Sequence, residues 1–302
     1  MRRFAPSVSR MPLLHAFVLG LLQGLAEFLP ISSSAHLALA PTLFGWEEHG
    51  LAFDVALHTG TLVTLLWYFR RDWIALIQAA WQLVFPRPAV LLETTEGGGG
   101  HAAQEPRRFV PVTEEQRRVV LLVLATIPAA VGGLLLEDYA ETIFRSPWLN
   151  AVMLMVMGVI LWAADRFAAQ DRPLGDMRLR DAAIIGLAQV CALVPGVSRS
   201  GSTMTAGRAL RFERASAARF SFLMSMPITA AAVILKAPDA MRVQGIGPAV
   251  AVGIVTAAVS SWIAIAFLLR YLTRHGFGVF ALYRLALGAF VLYLVAQGGA
   301  RG

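Results

Sequence analysis

The sequence predicts an all-α polytopic membrane protein: about six transmembrane helices plus two re-entrant helical segments, arranged as an inverted repeat. Three observations lead there. Hydrophobic residues make up 57% of the 302 and charged residues only 15%, with a mean hydropathy of +0.63. Soluble domains carry about 45–50% apolar and about 25% charged residues. Several apolar runs approach the roughly 20 residues that cross a bilayer core. Two shorter apolar stretches each stop at a proline followed by serines, as segments do that enter a membrane and turn back. No half of the chain reads as soluble, so residues 1–302 form a single integral membrane domain.

The elements follow in order. The start, "MRRFAPSVSRMPLLHAFVLGLL", imitates a signal peptide, but no small-x-small cleavage site follows and it is read as retained. Its apolar part, about 13–29, runs into "EFLPISSSAHL", the first interrupted segment. Spans are expected near 53–69, 119–136, 149–164, 218–236, 247–269 and 279–296, with the second interrupted stretch near 182–194. Residues 86–111, rich in Gly, Pro and mixed charge, read as a flexible cytoplasmic loop in which His101 is solvated. Arg70, Arg71, Arg117 and Arg118 put 70–118 in the cytoplasm, and Arg166, Arg172, Arg178 and Arg180 put 165–181 there too. Glu137, Asp138 and Glu141 then lie outside, as does the N-terminus, against the pull of Arg2, Arg3 and Arg10. Arg208, Arg211, Arg214 and Arg219 are expected near lipid headgroups, and Trp67, Trp73 and Trp81 at the interface.

Some classes are excluded. The net charge of +7 and pI near 10.4 do not point to nucleic acid, because the basic residues sit between apolar runs rather than in a stripe. The single cysteine, Cys191, rules out an intrachain disulfide and a cysteine metal site; its place in an apolar run predicts a small buried residue.

An internal repeat ties the interrupted segments together. "GLLQGLAEFLPISSSAH" (20–36) aligns without gaps on "GLAQVCALVPGVSRSGS" (186–202). Gly20 meets Gly186, Gln23 meets Gln189, Ser32 meets Ser198 and Ser34 meets Ser200. The differences carry the chemistry: Glu27 faces Leu193, Ser33 faces Arg199 and His36 faces Ser202. Three spans follow each copy, so the halves, about 11–164 and 180–298, enter from opposite sides and meet near the bilayer middle.

Glu27 or Arg199 facing lipid would cost roughly 2.5–3.5 kcal/mol or more, so each should face a polar cavity and a partner. Gln23 and Glu27 share a helix face. "PGVSRSGST" (195–203) supplies Gly196 and Gly201 for tight turns, hydroxyls from Ser198, Ser200, Ser202 and Thr203, and the guanidinium fork of Arg199. A Gly/Ser-rich turn opening a helix favours an anion. One segment reads as an oxyanion cradle; the other adds a carboxylate, hydroxyls at Ser32 and Ser33, and an imidazole. Together they suit phosphoryl transfer on a lipid substrate, with a hard divalent cation, Mg²⁺ or Ca²⁺, on Glu27 and Gln23. Asp54 and His58, four apart, are a weaker candidate pair for a metal or substrate contact.

"QGLAEFLPISSSAH" and "PGVSRSGST" resemble the undecaprenyl-diphosphate phosphatase family, also called the bacitracin-resistance family. Its Glu/Gln-x-x-x-Glu motif is matched by Gln23 and Glu27, its Pro-Gly-x-Ser-Arg-Ser-x-x-Thr motif by Pro195 to Thr203, and its histidine by His36. Gln23 stands where many members have Glu, and "SSSAH" replaces a Ser-Ser-Thr-Gly-His form. The resemblance implies a bacterial inner-membrane enzyme that removes one phosphate from the C55 isoprenoid diphosphate, with its site opening toward the periplasm. On that reading Arg199, Ser198, Ser200 and Thr203 hold the diphosphate, Glu27 binds the cation or acts as base, Ser33 attacks or binds phosphate, and His36 handles a proton or orients Ser33. The expected partners are a prenyl diphosphate lipid and the bilayer, with a second copy of the chain as a candidate. The rival reading is a transporter of polyprenyl phosphate lipids, which would need an anion cradle but no nucleophile.

Overall fold

A computed structural model describes residues 11–85, 113–135, 146–244 and 247–298. The loop 86–111, the N-terminal arginines and the acidic residues 137–141 lie outside those described residues. Everything described is helix, turn or short connection. The helices are α1 (Leu13–Phe28), α2 (Ser33–Phe44), α3 (Gly50–Tyr68), α4 (Arg70–Val84), α5 (Glu114–Leu135), α6 (Pro147–Phe167), α7 (Leu179–Cys191), α8 (Arg199–Ala209), α9 (Arg214–Gln244), α10 (Pro248–Tyr271) and α11 (Gly278–Ala296). Five of them, α5, α6, the Arg214–Lys236 part of α9, α10 and α11, are long and apolar enough to cross a membrane, and α1 is a shorter apolar helix. The remaining expected span coincides with α3. The chain is a multi-pass membrane protein.

Both interrupted segments break where the sequence places a proline. Leu29 leaves the helix with ψ 141 because Pro30 bars the residue before it from the helical region. The second break runs through three single turns, Ala192 N–H to Gln189 O, Leu193 N–H to Val190 O and Val194 N–H to Cys191 O, and then meets Pro195. The two tips are near copies. Ser32 and Ser198, aligned in the repeat, both have positive φ (74° and 72°) and both precede a new helix. Their hydroxyls sit 3.2 Å from Ser34 and Ser200 respectively.

Helix packing carries the same correspondence. Short α1 lies along α10, and short α7 lies along α5. A Cβ on Gly20 would come within 2.6 Å of the Gly253 carbonyl oxygen, and one on Gly186 within 2.6 Å of that of Ala125. The aligned glycines are where the broken helices press against their neighbours. Likewise α3 packs on α10 and α9 packs on α5, while α6 pairs with α11.

Three expectations need correction. Cys191 is exposed, because a helix in a membrane turns one face to lipid and an apolar run does not imply burial. Arg208 is not at the headgroups: it is wholly buried and donates to Asp165 (2.9 Å) and to the carbonyls of Ala168 and Phe212. Asp165 also accepts from Arg214 (2.7 Å) and from Phe277 N–H (2.9 Å), so one carboxylate knits three elements at that end. Trp73 is packed against the core, unlike the exposed Trp67 and Trp81.

Candidate active site

The two tips meet at a cavity of about 230 Å³. Ser33 and Arg199, the first residues of α2 and α8, both line it, so two helix N-termini open on one space. Helix N-termini carry unsatisfied N–H groups and the positive end of the helix dipole. Glu27, in the last turn of α1, forms another wall.

Glu27 is the hub. One carboxylate oxygen accepts from the Arg199 guanidinium, across the interface of the two tips. The other accepts from the Ser33 hydroxyl at 2.6 Å and the Gln23 amide at 3.2 Å. Burying a carboxylate among membrane helices is tolerable only with such partners. Arg199 is held from its other side by Thr229 Oγ1 (2.8 Å) and the Ser225 carbonyl (3.3 Å), both on α9. The guanidinium is therefore fixed at the cavity wall rather than free to swing.

The remaining expected residues divide into two groups. Ser32 and Ser198 line the cavity. Ser198 also caps α8 by accepting from Gly201 N–H (3.1 Å). Ser200, Thr203, Gly196 and Gly201 stand behind the wall. The Ser200 hydroxyl donates to the Leu29 carbonyl (3.2 Å) and that of Thr203 to the Arg199 carbonyl (2.8 Å), so both are engaged in holding the turns. Gly196 has φ +87, where a side chain would be strained. Asp54 is off the cavity, paired with His49 at 2.8 Å.

The two histidines sit differently with respect to the cavity. His36 is not on the cavity wall. Its Nδ1 donates to the Ser32 carbonyl (2.7 Å), and its Nε2 meets the Tyr283 hydroxyl (2.6 Å). It ties the first tip to α11. His58 is on the wall, with Nε2 3.8 Å from Glu27 Oε2, the oxygen that also accepts from Ser33 and Gln23. Its Nδ1 donates to the Asp54 carbonyl (2.7 Å), which leaves Nε2 as the ring nitrogen not engaged by the backbone.

Two further residues escaped the sequence reading. Gln189 lines the cavity and is 3% exposed, yet neither of its amide atoms has a hydrogen-bond partner among the described residues. Buried polar atoms without partners are rare and call for a ligand or water. The repeat alignment contained the signal, since Gln189 matches Gln23. Arg284 on α11 is wholly buried. It donates to Pro30 O (3.1 Å), Gly196 O (2.8 Å), Val197 O (2.9 Å) and Leu154 O (3.1 Å). One cation thus clamps the carbonyls of both broken turns. A lone arginine inside an apolar span was the available clue.

The chain is similar to known proteins over nearly its whole length. A family model described as "Bacitracin resistance protein BacA" matches residues 16–290. A protein of Gemmatimonas aurantiaca named undecaprenyl-diphosphatase is 55% identical over 283 residues, 94% of this chain and 98% of that protein. Proteins of the same name from Pelotomaculum thermopropionicum and Moorella thermoacetica are 45% and 46% identical, over 95% and 93% of this chain and 98% and 97% of theirs. With residues 16–290 matched, the chain belongs to the bacitracin resistance protein BacA family.

Proposed function

We propose that this protein hydrolyses undecaprenyl diphosphate to undecaprenyl phosphate and inorganic phosphate, regenerating the lipid carrier of cell-wall synthesis and so conferring bacitracin resistance. The observation that carries the reading is the meeting of Glu27, Ser33 and Arg199 at one cavity onto which two helix N-termini open. The family and the name shared by its relatives support the substrate.

The proposed roles follow from position. Glu27 takes the proton of Ser33, already hydrogen-bonded to it. The Ser33 oxygen attacks the terminal phosphorus as the bond to the bridging oxygen breaks. Arg199, Ser198 and the N–H groups opening α2 and α8 hold the phosphate oxygens where charge builds up. Water then releases the phosphate, with His58 Nε2 placed to take its proton. His36 orients the turn that carries Ser33.

A divalent cation fits in a limited way. Glu27 is the carboxylate on the cavity wall, and the Gln23 carbonyl oxygen beside it is buried without a partner. Among the described residues no group of three or more His, Cys, Asp or Glu could hold a metal by protein ligands alone. That donor set suits Mg²⁺, which takes one or two carboxylates plus substrate phosphates, better than Ca²⁺, which takes six to eight oxygens. Held by Glu27 and the diphosphate, such an ion would neutralise charge on the phosphate oxygens.

We place the protein in the bacterial inner membrane with the cavity open to the periplasm. In support, Ala129 of α5 and Ile228, Thr229 and Ala232 of α9 line the cavity from the halves of the spans Glu114–Leu135 and Arg214–Lys236 far from Arg117, Arg118 and Arg214. Phosphate release from undecaprenyl diphosphate by the purified protein is the test. Movement of intact diphosphate between vesicle leaflets, with no phosphate released, would instead make it a transporter.

A further inference from the structure

A second cavity, an apolar groove of about 310 Å³, lies between α4 and α5. Trp73 and Ala80 mark its α4 side, Val119 and Ala130 its limits on α5, and Pro227 its contact with α9. It contains almost no polar group: the hydroxyl of Thr126 donates to the Leu122 carbonyl (2.7 Å) within its own helix. Its other polar atom is the Trp73 indole nitrogen, a buried donor without a partner among the described residues, and it has no charged group.

Its position gives it a purpose. The wall of the catalytic cavity includes Ala129 and Ile228, and the wall of the groove includes Ala130 and Pro227. The two spaces therefore adjoin on both α5 and α9. At that level each helix contains a proline, Pro128 in α5 and Pro227 in α9, which cannot donate to the carbonyl four residues earlier. Both helix ladders are interrupted at the level where the polar cavity and the apolar groove are neighbours. From Val119 to Ala130 the groove follows about 16 Å of α5 at 1.5 Å per residue, running toward the Arg117–Arg118 end.

We propose that this groove takes the isoprenoid tail of the substrate while the diphosphate occupies the cavity between the tips. The proposal rests on the lipid-diphosphate reading above. Ordinary acyl chains could wet the groove, but only a chain attached to a headgroup in the cavity is directed into it by the junction at Ala129–Ala130. Lipid is as apolar as the groove, so burial from water supplies little net affinity. The groove instead fixes the direction in which the tail leaves, and so selects prenyl chains long enough to follow it.

The test compares two substrates on one set of proteins. Ala80→Trp and Val123→Trp fill the groove without touching the cavity. Both should lower kcat/KM for undecaprenyl diphosphate about three- to tenfold, a packing-sized effect. Hydrolysis of geranyl diphosphate, whose short chain ends near the junction, should stay within about twofold of wild type. Equal kcat/KM of wild type and variants on the long substrate, or equal losses on both substrates, overturns the groove. Absence of phosphate release from either substrate by wild type would instead refute the underlying functional reading and the groove with it. Wild-type protein labelled with a photoreactive long-chain prenyl diphosphate provides a readout independent of the variants. Adducts on α4 and α5, competed by undecaprenyl diphosphate, support the assignment; adducts elsewhere contradict it.

Discussion

A carboxylate and a guanidinium at the centre of a membrane protein are visible in sequence because burying charge away from water is costly. Glu27 and Arg199 could be paired before any geometry was known for that reason, and the structure brings them together. Uncharged residues give a weaker signal: Gln189 was marked only by its match to Gln23 in the repeat, and Thr229 emerged only from the cavity wall. The histidines show the limit of motif reading. His36 lies in the motif yet faces Tyr283, while His58, one helical turn from Asp54, faces Glu27. His58→Ala should therefore lower kcat about a hundredfold or more, whereas Tyr283→Phe, which leaves His36 short of one bond, should lower thermal stability by about 1 kcal/mol with little change in kcat. Comparable kcat for His58→Ala and wild type would remove His58 from the reaction. Arg199→Lys should lose about a hundredfold or more in kcat, since an ammonium cannot bridge Glu27 and Thr229 while facing phosphate; near-normal turnover would remove the clamp.

Among the elements, the two breaks were legible because Pro30 and Pro195 forbid a continuous helix, and the apolar runs located the spans to within a few residues. Helix α4 was missed: its mixture of Arg70, Arg71, Asp72 and apolar residues read as a cytoplasmic connection, although Asp72 holds Arg219 at 2.6 Å. The positive φ of Ser32 and Ser198 was equally hidden, since serine does not advertise that conformation as glycine does. What sustains those strained turns is Arg284. Arg284→Met strips donors from four buried carbonyls and should destabilise the fold by about 3 kcal/mol or more, measured by thermal unfolding in detergent. A loss under about 1 kcal/mol would show that the turns hold themselves. At the start of α7, burial would raise the Asp181 carboxyl, but hydrogen bonds from Arg172 and from Arg178 N–H outweigh it and hold the pKa below the ordinary carboxylate value. A depressed folded-state pKa stabilises above the unfolded pKa, and that contribution disappears as pH falls through the folded value. The stability gap between wild type and Asp181→Asn should accordingly be full near neutrality and close in acid; a gap independent of pH would contradict the pairing.

At the scale of the whole molecule, two tips of similar shape differ at three chemistry-bearing positions, Glu27 against Leu193, Ser33 against Arg199 and His36 against Ser202, and the proposed activity draws on that difference. One tip keeps the acid and the serine hydroxyl bonded to it; the other keeps the cation. Neither half holds a complete site, which explains why a repeat with matched helix packing is retained around an asymmetric centre. The central claim is that Glu27 and Arg199 act as one unit assembled across the two tips. A double-mutant cycle on phosphate release from undecaprenyl diphosphate, with Glu27→Gln, Arg199→Gln and the pair, tests it most directly. Each single change should cost about 10²–10⁴ in kcat, and the double variant should be little worse than the poorer single, as for catalytic residues that work together. Losses that multiply, as for two independent residues, would contradict it.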